Sequence, residues 1–326
     1  MLCDSVASCN EVSELLTLNL NGYDQKVLID GKTSDLPLVI YLHGGPGSPI
    51  PFNAGCRGMF PEFTDHFIMV YWDQYGCGIN NVPIEGVFGV ETYVGMALDL
   101  VKELRSRFTT NPIYIYATSW GSVLSVEIAL KTNELSGVVV WGQLITSPIY
   151  NQYALDALAN SSIPADELVA LASTHGEGID SEHGLTFRDS QRFMAALQKY
   201  TDGYINDKGT PFPLSQVLLG LQNSPDYSQA DIDALMNNGY TNSNAPFEAL
   251  RGINMTETLR HIDIPYCILQ GDTDVVTPTG AILELLSCID NPHITCSVIK
   301  NAGHVPSMEG LDASLSALLA LSAGEN

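Results

Sequence analysis

The sequence predicts an α/β protein with a doubly wound, mostly parallel sheet and an inserted helical cap. Three observations lead to this fold class: short apolar runs recur along the chain, helical patterns lie between them, and their alternation is interrupted once. Strands that alternate with helices are typical of a sheet covered by helices on both faces. At 326 residues, the chain has the length of a core domain with a sizeable insertion.

The first predicted element is an antiparallel hairpin at one edge of the sheet. Residues 15–20 and 26–29 flank Asn21-Gly22, a dipeptide that favours tight hairpin turns. Six apolar runs follow, and each is typical of a buried parallel strand: residues 38–42, 67–72, 113–116, 138–141, 266–269 and 294–299. The clearest helix lies between the second and third runs, with an apolar stripe of Val94, Ala97, Leu98, Val101, Leu104 and Phe108.

The alternation of strands and helices fails between about Leu144 and about Arg260. This stretch contains short helical patterns and polar turns, and no segment in it has a convincing strand pattern. Strands resume after Ile264-Pro265. The sequence therefore predicts a core formed by residues 1–143 and 260–326, with residues 144–259 inserted as a helical cap.

The net charge of −23, from 14 basic and 37 acidic residues, argues against some partners. Such a chain repels nucleic-acid phosphates and anionic membrane surfaces. The charge is compatible either with simple solubility or with a field that attracts cationic substrates. The N-terminus lacks the basic region of a secretory signal, and no segment reaches the roughly 20 apolar residues of a membrane span. We therefore expect a cytoplasmic protein without nucleic-acid or membrane partners.

The seven cysteines show no spacing that is typical of a metal site, so neither a metal nor another cofactor is expected. Cys267 and Cys296 lie inside apolar strand-like runs, where a free thiol behaves as a small hydrophobic group. This favours a reducing compartment. Whether Cys3 and Cys9 pair with each other stays open.

Ser119 is the candidate nucleophile. It lies where an apolar strand meets a helix, with the small residues Ala117 and Gly121 two positions before and after it. This is the pattern of a nucleophile elbow, a sharp turn that brings backbone close to the serine and tolerates only small neighbours. The alternative is that Ser119 only caps the helix.

A serine hydroxyl needs a neighbouring base, and in this kind of fold the acid and then the histidine follow the serine along the chain. Asp274 follows the apolar run 266–269 and is the candidate acid, with Asp272 as its rival. His304 follows the last run and is the candidate base. Because these loops leave the same edge of a parallel sheet as Ser119, the three side chains are expected to meet.

A glycine-rich turn, His43-Gly-Gly-Pro-Gly, follows the run 38–42. It exposes backbone N–H groups at the same sheet edge, and we expect those of Gly45 and Trp120 to form an oxyanion hole. A plain tight turn is the alternative.

Taken together, these motifs resemble those of the prolyl aminopeptidases (proline iminopeptidases) of the α/β-hydrolase fold. The resemblance rests on three segments: His43-Gly-Gly-Pro-Gly, Trp72-Asp-Gln-Tyr-Gly-Cys-Gly and Thr118-Ser-Trp-Gly-Ser, with Gly271-x-x-Asp274 and Gly303-His304 in support. It implies an α/β-hydrolase core and an aminopeptidase that releases an N-terminal residue, often proline, from short peptides or amides.

The resemblance also implies that acidic residues of the cap hold the free amine of the substrate. Candidates are Glu248, Asp202 and Asp207, and solvated helix faces are the alternative explanation for each. Tyr75 stands where the family usually has arginine, and the family's tryptophan-glutamate cap motif has no counterpart. A carboxylesterase, lactonase or thioesterase that acts on a small molecule therefore stays an alternative, and so does a binding module without activity.

Overall fold

The computed structural model describes residues 11–86, 88–146, 151–178, 187–236, 245–250 and 252–324. Its centre is one eight-stranded sheet with the order β1-β2-β4-β3-β5-β6-β7-β8. The strands are β1 (Val12–Leu20), β2 (Tyr23–Gly31), β3 (Leu38–Leu42), β4 (Ile68–Tyr71), β5 (Ile113–Thr118), β6 (Leu135–Trp141), β7 (Tyr266–Gly271) and β8 (Ile294–Ile299). β2 pairs antiparallel with β1 and β4, and the remaining neighbours are parallel. The predicted mostly parallel sheet is confirmed.

The N-terminal hairpin is confirmed at the predicted dipeptide. Asn21 and Gly22 have φ angles of 52° and 86°. A two-residue hairpin turn of this kind needs positive φ at both central positions, which asparagine and glycine adopt most readily. β1 is thereby the outer strand at one edge of the sheet.

The six apolar runs all form strands, and one of them is less buried than expected. β3, β4 and β5 are buried along their whole length. β8 instead has half-buried and exposed residues throughout. The expectation of a buried strand is wrong for β8 because it is the outer strand at the other edge of the sheet, with a strand neighbour on one side only.

Helices cover both faces of this sheet. Those outside the long insertion are α1 (Pro61–Thr64), α2 (Val90–Arg107), α3 (Trp120–Ala129), α11 (Thr279–Cys288) and α12 (Met308–Ala323), with a 3₁₀ helix at Gly78–Asn80. The predicted stripe of α2 packs into one core, in which Val94, Val101 and Leu104 are almost fully buried. A second core on the opposite side includes α12 residues Leu311 and Leu318.

Between β6 and β7 the described residues form helices: α4 (Gln152–Ala159), α5 (Ala165–Gly178), α6 (Phe187–Tyr200), α7 (Leu214–Gln222), α8 (Gln229–Met236), α9 (Ala245–Glu248) and α10 (Thr256–Arg260). α4, α5 and α6 contribute to a small apolar cluster that includes Leu158, Leu171 and Phe193. Within the part of the chain that the structure describes, no helix is both long and apolar enough to span a bilayer.

Asp226 and Tyr227, which lie just before α8, connect the insertion to the rest of the molecule through hydrogen bonds. Asp226 accepts two hydrogen bonds from the Arg57 guanidinium, at 2.6 and 2.8 Å. The hydroxyl of Tyr227 donates to the buried carboxylate of Asp73, which also accepts from the backbone N–H groups of Ala54 and Ile79. Burial raises the pKa of Asp73 to about 6, and the Tyr227 hydrogen bond opposes that rise.

These contacts predict a pH-dependent effect of Tyr227→Phe. The Tyr227 hydroxyl stabilises the ionised form of Asp73, so its contribution is present above the pKa of that carboxyl and declines as the pH falls through about 6. We expect the variant to lose about 2 kcal/mol of unfolding free energy near pH 8 and at most about 1 kcal/mol near pH 5, measured by urea unfolding.

Tyr71→Phe is the matched control for this experiment. The Tyr71 hydroxyl is buried and has no hydrogen-bond partner among the described residues, so its removal is expected to change stability by less than about 0.5 kcal/mol at either pH. Equal losses for Tyr227→Phe at both pH values would contradict the assigned contact.

Candidate active site

Ser119 lies at a sharp turn between β5 and α3. Its φ and ψ angles are 50° and −116°, a region that residues other than glycine rarely adopt. Its backbone N–H donates to the carbonyl of Trp141 on the neighbouring strand at 3.0 Å, and its carbonyl accepts from Ser122 at 2.8 Å. The turn is therefore held from both sides. It lifts the hydroxyl out at the carboxyl edge of the sheet.

The small residues around Ser119 have a steric explanation. A Cβ atom at Gly121 would lie 2.0 Å from the carbonyl oxygen of Leu42, and one at Gly44 would lie 3.2 Å from Cβ of Ser119. The Gly121 position therefore needs glycine, whereas a side chain at Gly44 would make a tight contact with Ser119. Ala117 is fully buried in β5, so alanine is accommodated at the other flank of the elbow.

The structure brings Ser119, His304 and Asp274 together. Nε2 of His304 lies 3.0 Å from Oγ of Ser119, and Nδ1 lies 3.0 Å from Oδ2 of Asp274. The Asp274 side chain is completely buried, whereas 11% of the His304 side chain is exposed. The imidazole thus bridges a buried carboxylate and a hydroxyl at the edge of the sheet.

Asp274 is fixed by hydrogen bonds to both of its carboxylate oxygens. Oδ1 accepts from the backbone N–H groups of Val276 and Thr277, at 2.8 and 3.0 Å. Oδ2 accepts from the Thr277 hydroxyl at 2.8 Å, in addition to its contact with His304. Asp272, the rival acid, instead accepts from the backbone of Ala302 at 3.2 Å.

The loop that carries His304 is held by the core and by the insertion. Trp141 Nε1 donates to the His304 carbonyl at 2.8 Å, and the His304 N–H donates to the carbonyl of Gly203 at 3.1 Å. The ring of Tyr204 stacks on the imidazole, with 6.1 Å between ring centroids and 25° between planes. The insertion therefore helps to orient the imidazole.

The glycine-rich turn lies beside Ser119, as expected. Gly45 has a φ of 114°, and a Cβ atom there would lie 2.6 Å from the backbone nitrogen of Gly47. Trp120 is the first residue of α3, so its N–H belongs to the first turn, where N–H groups have no acceptor within the helix. Amides of this kind are suited to bind a developing oxyanion.

His43, the first residue of this turn, has a structural role. It is fully buried, and burial lowers its pKa to about 4, so the ring is neutral near pH 7. Nε2 accepts from the N–H of Gln74 at 3.0 Å, which leaves the proton on Nδ1 to be donated to the Gly44 carbonyl at 2.9 Å. His43 thereby fixes the backbone before Gly45.

Asp202 and Asp207, two of the three acidic candidates for amine binding, have side chains that are open to solvent. The Asp202 carboxylate is partly exposed and pairs with Lys208 at 3.3 Å, and Asp207 is exposed. Both line an open polar cleft of about 550 Å³ between α4 and the segment after α6. The side chain of Glu248 lies outside the described residues, as do Cys3 and Cys9.

Three residues near the site had no role assigned from sequence: Thr277, Tyr204 and Gln74, the last of which lies in the segment Trp72-Asp-Gln-Tyr-Gly-Cys-Gly that carries the resemblance. Thr277 lies in the same short segment as Asp274, and that spacing was a usable signal, because a hydroxyl three residues on can return to a carboxylate. Tyr204 lies in the insertion, and no local pattern relates it to His304.

Comparisons with known proteins agree with this architecture. A family model described as "alpha/beta hydrolase fold" matches residues 37–311. The chain is 20% identical to "Probable aminopeptidase YbaC" of Bacillus subtilis (strain 168), over 90% of this chain and 91% of that protein. It is 23% identical to "Proline iminopeptidase" of Heyndrickxia coagulans, over 83% and 85%.

A crystal structure of proline iminopeptidase from Mycobacterium smegmatis superposes with a TM-score of 0.62 at 17% identity, covering 96% of this chain and 98% of that one. At this identity the superposition shows a shared fold. The predicted resemblance and fold class are confirmed by these matches. The chain therefore belongs to the α/β-hydrolase fold family, as a serine hydrolase that is similar to the proline iminopeptidases.

Proposed function

We propose that this enzyme releases an N-terminal residue, such as proline, from short peptides or amides through an acyl-enzyme on Ser119. The observation that carries the proposal is the continuous chain of contacts from Asp274 through His304 to Ser119, with 3.0 Å at each step. A neutral imidazole in this position can accept the hydroxyl proton of Ser119 while Asp274 holds Nδ1–H. Relatives named proline iminopeptidase support the substrate class.

The proposed reaction has two halves. In the first, Ser119 Oγ bonds to the substrate carbonyl carbon, its proton passes to His304, and the carbonyl electron pair moves onto oxygen beside the amides of Gly45 and Trp120. His304 then protonates the leaving amine as the C–N bond breaks. In the second half, the oxygen of a water molecule bonds to the acyl carbon while His304 takes a proton from that water. The bond between the acyl carbon and Ser119 Oγ then breaks, His304 returns the proton to Oγ, and the carboxylic acid is released.

We further propose that residues 144–259 act as a cap over the sheet edge that carries Ser119. Contacts of Gly203 and Tyr204 with the His304 loop support this assignment. A cap in this position excludes water from the reacting groups and selects the substrate.

A second candidate is hydrolysis of esters, lactones or thioesters by the same three residues. One observation favours it: the described insertion residue packed on His304 is the uncharged Tyr204, whereas Asp202 pairs with Lys208 and Asp207 faces solvent. An ester pocket needs no carboxylate for a substrate amine.

A substrate panel distinguishes the two candidates. Prolyl and other aminoacyl amides, their N-blocked forms, and simple esters and lactones are compared by kcat/KM under one set of conditions. If a carboxylate binds the substrate ammonium, blocking the amine leaves that carboxylate unpaired, and we expect free amines to be preferred by about a hundredfold or more. Equal rates on blocked amides, or activity confined to esters, would contradict the aminopeptidase proposal alone.

Labelling of Ser119 by a fluorophosphonate separates both candidates from a binding module without activity. We expect labelling of the native chain and none of Ser119→Ala. An unreactive native Ser119 would favour the binding module.

A further inference from the structure

Gln74 joins the two segments that carry the proposed oxyanion amides. It is fully buried in the segment between β4 and the 3₁₀ helix. Its side-chain Nε2 donates to the His43 carbonyl at 3.3 Å, and its Oε1 accepts from Trp120 Nε1 at 2.9 Å. Its backbone N–H donates to the His43 ring at 3.0 Å. One carboxamide therefore uses its donor on the glycine-rich turn and its acceptor on the start of α3.

The surroundings leave these two segments little freedom to move apart or together. A Cβ atom at Gly121 would lie 2.0 Å from the Leu42 carbonyl and 3.0 Å from the His43 carbonyl. The first turn of α3 is thus in direct contact with the backbone that precedes Gly45. This contact prevents closer approach, whereas the pairing of β3 with β5 as far as Leu42 and Ala117 and the two side-chain hydrogen bonds of Gln74 both oppose separation.

We propose that Gln74 is a positioning residue that sets the separation between the backbone N–H groups of Gly45 and Trp120. This inference rests on the proposed acyl transfer at Ser119 and assigns to Gln74 a role in stabilising its oxyanion. Both ends of the amide are needed. Glutamate would retain an acceptor for Trp120 but would place an oxygen against the His43 carbonyl, and methionine would remove both hydrogen bonds.

The affinity of a trifluoromethyl ketone measures how well the oxyanion hole stabilises negative charge, because the ketone forms an adduct with Ser119 and has no leaving group to lose. Ser119 Oγ bonds to the ketone carbon, the Ser119 proton passes to His304, and the carbonyl π electrons become an alkoxide lone pair that the oxyanion amides bind. The affinity of the adduct therefore depends on the same two N–H groups as the transition state.

The test compares Gln74→Met and Gln74→Glu with Gln25→Met as the matched control. Gln25 is also buried, and its Oε1 accepts from an indole N–H, that of Trp72, at 2.9 Å. For p-nitrophenyl acetate we expect both Gln74 variants to lose about 10- to 100-fold in kcat with KM within about threefold, since small misplacements of reacting groups have effects of this size. The Kd of 1,1,1-trifluoro-4-phenylbutan-2-one should rise by the same factor.

Gln25→Met should keep kcat and ketone affinity within about threefold of the native values, even if its thermal stability falls as much as that of the Gln74 variants. If Gln74→Met does not fold, Gln74→Glu provides the same comparison. The inference is overturned if the Gln74 variants match Gln25→Met, or if kcat falls without a parallel loss of ketone affinity. In either case fluorophosphonate labelling of Ser119 would still succeed, whereas failure of labelling in the native chain would instead reject the proposed acyl transfer.

Discussion

Replacing Ser119 with alanine, or His304 with alanine, should each reduce kcat by roughly 10⁴- to 10⁶-fold, because nucleophile and base act as one unit. Either change removes the 3.0 Å contact between His304 Nε2 and Ser119 Oγ, across which the proton is transferred. Ser119→Ala is expected to leave the backbone strain at the turn nearly unchanged, since alanine also has a Cβ atom at a φ of 50°.

The measurement is steady-state turnover of the best substrate from the panel, with circular dichroism to confirm that the variants fold. The double variant should be no slower than either single variant by more than about tenfold, because effects within one catalytic unit are not additive. Near-native turnover by either single variant would reject the assignment of both residues.

Asp274→Asn should lower kcat by about 10³- to 10⁴-fold, while the variant keeps its folded structure. The structure gives a specific reason. Two backbone N–H groups point at Oδ1, so the asparagine oxygen must occupy that position and its NH₂ group must face Nδ1 of His304. Nδ1 then has to accept, the imidazole proton moves to Nε2, and His304 can no longer take the proton of Ser119.

Asp272→Asn is the matched control for this prediction. It makes the same chemical change two residues away, where the carboxylate contacts the Ala302 backbone and lies 3.7 Å from Lys300. We expect kcat to fall by less than about tenfold. A larger loss for Asp272→Asn than for Asp274→Asn would show that the acid has been assigned to the wrong residue.

The architecture of the core could be predicted from sequence because its signals are local. Continuous apolar runs predicted β3 to β7, and Asn21-Gly22 predicted the hairpin turn, since each depends on the residues of one short segment. The exposure of β8 could not be predicted in this way. An apolar run looks the same at the edge of a sheet as at its centre, and strand order is a property of the whole fold.

The sequence by itself determined which residue types could perform the chemistry. The elbow around Ser119 requires small neighbours at set spacings, and chain order restricts the acid and base to the loops after β7 and β8. Ser119 and His304 are nevertheless 185 positions apart, so only the folded sheet edge brings them within 3.0 Å. The contact of Asp274 rather than Asp272 with His304, the link made by Gln74 and the hold of Tyr227 on Asp73 were likewise decided by tertiary structure. The physical reason is that hydrogen bonds are directional and act over about 3 Å, so partners are selected by three-dimensional geometry and leave no periodic pattern in the sequence.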